Sequence, residues 1–100
     1  RIESTYTIQF PNIITGGTNV HPFKGYSSHD NVIIKELSIY DRMASRVYHI
    51  ENTRINDPNY GWNGTFRGMD VLPGVYVWMV ELILPDGSTK QMAGDVTIVK

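Results

Sequence analysis

The stretch "VYVWMVELILPDGS", Val75 to Ser88, decides the fold. Its first part, Val75 to Leu84, is an apolar run rich in β-branched and aromatic residues that only Glu81 interrupts. Such a run reads as a central strand covered on both faces. It falls far short of the ~20 apolar residues that a membrane-spanning helix needs. Pro85-Asp86-Gly87-Ser88 then supplies a turn, with proline early to preset φ and glycine later to accept a positive one. The closing "GDVTIVK", Gly94 to Lys100, turns Val96 and Ile98 to one face by strict alternation. The segment is therefore a long β-hairpin.

The same period of two extends toward the N-terminus. "TYTIQF", Thr5 to Phe10, aligns Tyr6, Ile8 and Phe10. "NVIIKELSIYD", Asn31 to Asp41, sets Ile33, Leu37 and Ile39 on one side, with Lys35 as the exception, and Ile34, Glu36, Ser38 and Tyr40 on the other. "SRVYHIE" follows after the short link Arg42 to Ala44, which predicts a second hairpin. No window carries helical periodicity with caps, and "DRMAS" is at most one turn. Two half-apolar sheets must cover each other. The expected fold is all-β, an immunoglobulin-like antiparallel β-sandwich of about seven strands. The two long connections, 11–31 and 52–74, are expected to hold function or short strands of their own.

Composition narrows the function. The chain has 100 residues, the size of a single domain, with 41% hydrophobic and 19% charged residues. A formal net charge of -1 supplies no field for nucleic acid or an anionic membrane. Absence of cysteine removes disulfides, thiolate metal sites and a cysteine nucleophile. His21, His29 and His49 are scattered without zinc-ligand spacing, and no G-x-S-x-G or phosphate-cradling glycine loop occurs. Neither an enzyme nor a cofactor or metal is expected. "NDPNYGWNG", Asn56 to Gly64, offers oxygen donors, but turn asparagines and aspartates mostly bond their own backbone.

One feature asks for more than connection. "WNGTFRGMDVLPGVYVW" runs from Trp62 to Trp78 and packs glycines and a proline between two tryptophans. In order, "FPNIIT", "LSIYDRMASRVY", "GWNGTFRG", "LPGVYVWMVEL" and "DGSTKQMAGDVTIVK" resemble the gliding-motility-associated C-terminal domain, the type B sorting domain of proteins exported by type IX secretion. The resemblance covers most of the chain, from Phe10 to Lys100.

What the resemblance implies is a single C-terminal sorting domain over residues 1–100, following large N-terminal passenger domains in the same exported protein. Such a domain is not an enzyme. It directs its passenger through the outer-membrane type IX translocon and its associated sorting proteins to the cell surface or exterior, without inserting in the membrane itself. Many such passengers are adhesins. By resemblance, the family's "RWG" turn falls on Arg42, Met43 and Ala44, and its "WDG" on Trp62, Asn63 and Gly64. Its "GxY" strand start falls on Gly74, Val75 and Tyr76, and its closing "G-x-V" on Gly94, Asp95 and Val96, up to Lys100. The family's acidic "TPNGDGxND" loop is replaced here by "TGGTNVHPF", Thr15 to Phe23. Trp62 is expected to cover one end of the sandwich.

Two alternatives stay open at this point. One is an immunoglobulin-like binding module of a surface adhesin, for protein or carbohydrate, with a sugar stacked on Trp62 or Tyr60. The other is a spacer, against which stands the end of the sequence at Lys100, directly after a closing strand. The strand from Ala93 to Lys100 is expected to offer an edge for strand addition.

Overall fold

The computed structural model describes residues 7–17 and 22–100. Tyr6 and His21 lie outside the described residues. The strands are β1 (Ile8–Gln9), β2 (Ile13–Thr15), β3 (Tyr26–Ser27), β4 (Ile33–Tyr40), β5 (Arg46–Arg54), β6 (Thr65–Phe66), β7 (Met69–Asp70), β8 (Gly74–Ile83) and β9 (Thr89–Val99). There is no helix among the described residues. The protein is all-β and sandwich-like, with shorter and more numerous strands than expected.

One layer is a five-stranded sheet in the order β2-β9-β8-β4-β5. Both predicted hairpins are present in it. The β8–β9 turn closes through the Leu84 amide on Ser88 (2.8 Å) and the Gly87 amide on Leu84 (2.8 Å), with Gly87 at φ 88°. The β4–β5 link is held by Asp41, whose Oδ1 accepts from the amides of Met43 and Ser45, both at 2.9 Å. One pairing departs from the antiparallel expectation: β2 lies parallel to β9, Ile13 against Thr97 and Thr15 against Val99.

The second layer is built from the N-terminal strand and parts of the two long connections. β1 pairs with β3, β6 with β7, and Phe23 exchanges both backbone hydrogen bonds with Trp62, at 2.7 and 2.9 Å. Between the layers lie Ile34, Leu37 and Ile39 from β4, Tyr76, Trp78, Val80 and Leu82 from β8, and Val96 and Ile98 from β9, all buried. Phe10 stacks on Trp78 at 4.6 Å and Phe23 lies 5.9 Å from it, so the second layer is an aromatic cover. Offset aromatic contacts of this kind add to the area that each ring buries.

Two readings of the strands need correction. Ile34, expected on the face opposite Leu37, is fully buried with it. A bulge between Ile34 and Glu36 extrudes Lys35, and Asn52 takes φ 52° on the neighbouring strand, so both strands change face at the same level. Lys35 broke the alternation because it stands at that bulge. β8 is also not covered on both faces: Val75, Val77 and Met79 are exposed on the outer side of the sheet.

Candidate docking surface

The residues singled out from the sequence gather at one end of the molecule. Trp62 is buried in the core, its indole Nε1 donates to the Thr65 carbonyl at 2.8 Å, and its ring meets Tyr76 edge-on at 5.5 Å. Tyr76 pairs across the sheet with Val96 and donates from its hydroxyl to the Leu72 carbonyl at 2.6 Å. Burial pushes the Tyr76 phenol upward in pKa, against the partial relief of the nearby Arg42 charge. Gly74 pairs with Ile98, adopts φ 146°, and faces the Arg42 guanidinium. Gly64 is held at φ 82° so close to Gly16 that an added Cβ would stand 3.1 Å from its Cα. Lys100 forms an exposed ion pair with Asp70, 3.8 Å apart. Gly94 stands one step along, against the Trp78 indole, where a Cβ would come within 2.9 Å of the ring.

Trp62, expected to close one end of the sandwich, does so from inside the core. Trp62 offers no face to a sugar. Tyr60 is half-buried with its hydroxyl bonded to the Ile55 carbonyl at 2.6 Å, and burial raises its pKa strongly. The oxygen donors of "NDPNYGWNG" are used within the fold, as expected of turn residues. Asn56 brackets Ser27 through both backbone groups, and Asp57 accepts from the Asn59 amide.

Around this buried cluster lies a surface that the sequence reading missed. Two adjoining grooves of about 250 and 310 Å³ share Asp41, Leu72 and Tyr76 in their walls. Met43 and Val75 complete the first; Phe66 and Met69 complete the second. All four of these apolar side chains are exposed, as is Leu72 at 81%. Val77, Met79 and Ile13 continue the apolar surface over the outer face, where Ile13 and Val75 flank Thr97. Large exposed apolar patches mark interaction sites. Asp41 and Asp70 line its walls, and the positive charges beside it are Arg42, exposed and without an ion pair among the described residues, and Arg67, whose guanidinium stands 5.0 Å from the Phe66 ring. The sequence signal was "FRGMDVLPG", Phe66 to Gly74, whose apolar residues fit no sustained period and so suggest no buried strand face.

The expected strand-addition edge is also displaced. Val99, Ile98 and Thr97 are already paired with β2, and the Gly16 amide donates to the Val99 carbonyl at 2.7 Å. Among the described residues, the part of β9 without a neighbour on that side is the preceding one, from Thr89 to Val96.

No protein-family profile, curated protein or solved structure matches the chain.

Proposed function

We propose that this chain is a C-terminal sorting domain, a secretion signal that directs a passenger through the type IX system to the cell surface or exterior. The observation that carries the reading is convergence. Arg42, Trp62, Gly64, Gly74, Tyr76, Val96 and Lys100 are far apart in sequence, yet they build or border one end of the sandwich. That end carries the exposed apolar grooves and Arg42, exposed and without an ion pair among the described residues. A signal read by a protein receptor needs such a surface: apolar side chains for affinity and an arginine for directional hydrogen bonds. Among the buried members of the set, which also include Tyr76 and Val96, Trp62 and Gly64 hold the loops that present it.

The test is export of a fluorescent reporter fused ahead of residues 1–100 and behind a periplasmic signal peptide. Reporter outside the cell is expected in a host with type IX secretion and not in a mutant lacking it. Arg42→Ala combined with Leu72→Ser removes exposed groups only. It is expected to leave thermal unfolding within about 0.5 kcal/mol of the parent and to trap the reporter in the periplasm. Equal export by that variant would sink the assignment of this surface, and a reporter trapped in both hosts would sink the sorting function.

A further inference from the structure

The outer face of the β4–β5 hairpin carries an arrangement that the sorting surface does not use. Glu36 stands directly opposite Glu51 on β5 and directly opposite Glu81 on β8, so three carboxylates form a row across adjacent strands. Like charges placed opposite one another destabilise a sheet. Lys35, extruded at the bulge, relieves Glu81 from 3.8 Å. Glu36 and Glu51 have no lysine or arginine ion-paired to them among the described residues. What stands beside them is His49, two residues before Glu51 on the same face, with Nε2 2.9 Å from Glu36 Oε2.

One donor atom from each of Glu36, His49 and Glu51 lies within 4.8 Å of the other two. Donors bonded to one tetrahedral zinc ion stand about 3.3 Å apart, given bonds of about 2.0 to 2.1 Å. Rotation of partly exposed side chains by about an ångström would bring the three onto one centre. An imidazole nitrogen with two carboxylates suits zinc and its transition-metal neighbours, whereas calcium takes six or more oxygens. The ligands sit on long paired strands, the rigid placement that a metal site needs. We propose that Glu36, His49 and Glu51 hold a divalent transition-metal ion of the zinc class on the outer face of the sheet. Its positive charge would neutralise the carboxylate row, and its remaining coordination position opens to solvent.

Titration of the metal-stripped chain with Zn2+ alone, by calorimetry and by thermal unfolding, tests the site. One equivalent is expected to bind and to raise the unfolding temperature. His49→Gln and Glu51→Gln are each expected to weaken binding by at least about tenfold, while His29→Gln binds as the parent does. Glu51 is the informative position, because a simple His49–Glu36 pair would not make zinc affinity depend on it. Circular dichroism in chelator verifies that each variant is folded. No binding by the parent, equal binding after His49→Gln or Glu51→Gln, or a stronger response to Ca2+ than to Zn2+ would each overturn the proposal.

Discussion

Ala44 adopts φ 64°, the left-handed region where a Cβ meets the following carbonyl. The position coincides with the glycine of the "RWG" turn in the family that the sequence resembles. We predict that Ala44→Gly raises stability by about 0.5–1 kcal/mol, since relief of the left-handed strain exceeds the added chain entropy; urea unfolding of the two proteins measures it. Trp62 makes the opposite case. It is 2% exposed, bonded through its indole, and paired by its backbone to Phe23. Trp62→Ala should destabilise by about 3–5 kcal/mol through loss of buried area and the cavity left behind, and an unchanged denaturation midpoint would contradict its place in the core. The importance of Trp62 was legible because a tryptophan between turn glycines serves no connection. Its neighbours were not, because Phe23, Tyr76 and the second layer reach it from distant parts of the chain.

At the scale of elements, the legible parts are those whose signals are local. The Pro85 to Ser88 turn and the Arg42 to Ala44 link each lie between long alternating runs, so both hairpins could be read directly. β2, β6 and β7 have two or three residues each, too few for any period to show. The exposed outer face of β8 was hidden for another reason. Val75, Val77 and Met79 have the composition of a buried strand, and composition alone does not tell an exposed apolar face from a covered one. The pairing of β9 changes what a C-terminal deletion would mean. Removing 96–100 takes Val96 and Ile98 from the core and leaves β2 without its partner. We predict that this truncation loses the cooperative thermal transition seen by circular dichroism. Its failure in export would then report unfolding, whereas the Arg42 and Leu72 variants report recognition.

The molecule as a whole has a defined alkaline limit. Burial raises the pKa of Tyr48, Tyr60 and Tyr76 above the ordinary tyrosine value. A raised folded pKa means that the unfolded chain releases these protons first. Their contribution is whole below about pH 10 and is lost as pH climbs beyond it toward the folded values. Lys24, buried under Tyr26 and Tyr60 with its ammonium donating to the Gly25 and Ile55 carbonyls, has its pKa lowered by desolvation. It acts in the other direction, adding stability as pH approaches 10.5 from below. Stability measured by urea unfolding is expected to fall steeply above about pH 10. Tyr60→Phe should make that fall shallower while lowering stability near neutrality by about 1 kcal/mol, through its lost hydrogen bonds. A slope unchanged by the substitution would remove Tyr60 from this account.

The parallel contact between β2 and β9 also has a mechanical meaning. Ile13 lies beside Thr97 on strands that run the same way, so tension applied at the two ends of the domain pulls those strands in opposite directions along their axes. The rungs from Asn12 to Gly16 are then loaded together in shear instead of opening one after another like a zipper. Resistance to such a load is set by the rate of crossing the unfolding barrier rather than by equilibrium stability. Pulled from its two ends, a domain wired in this way is expected to resist longer than one whose terminal strands part rung by rung.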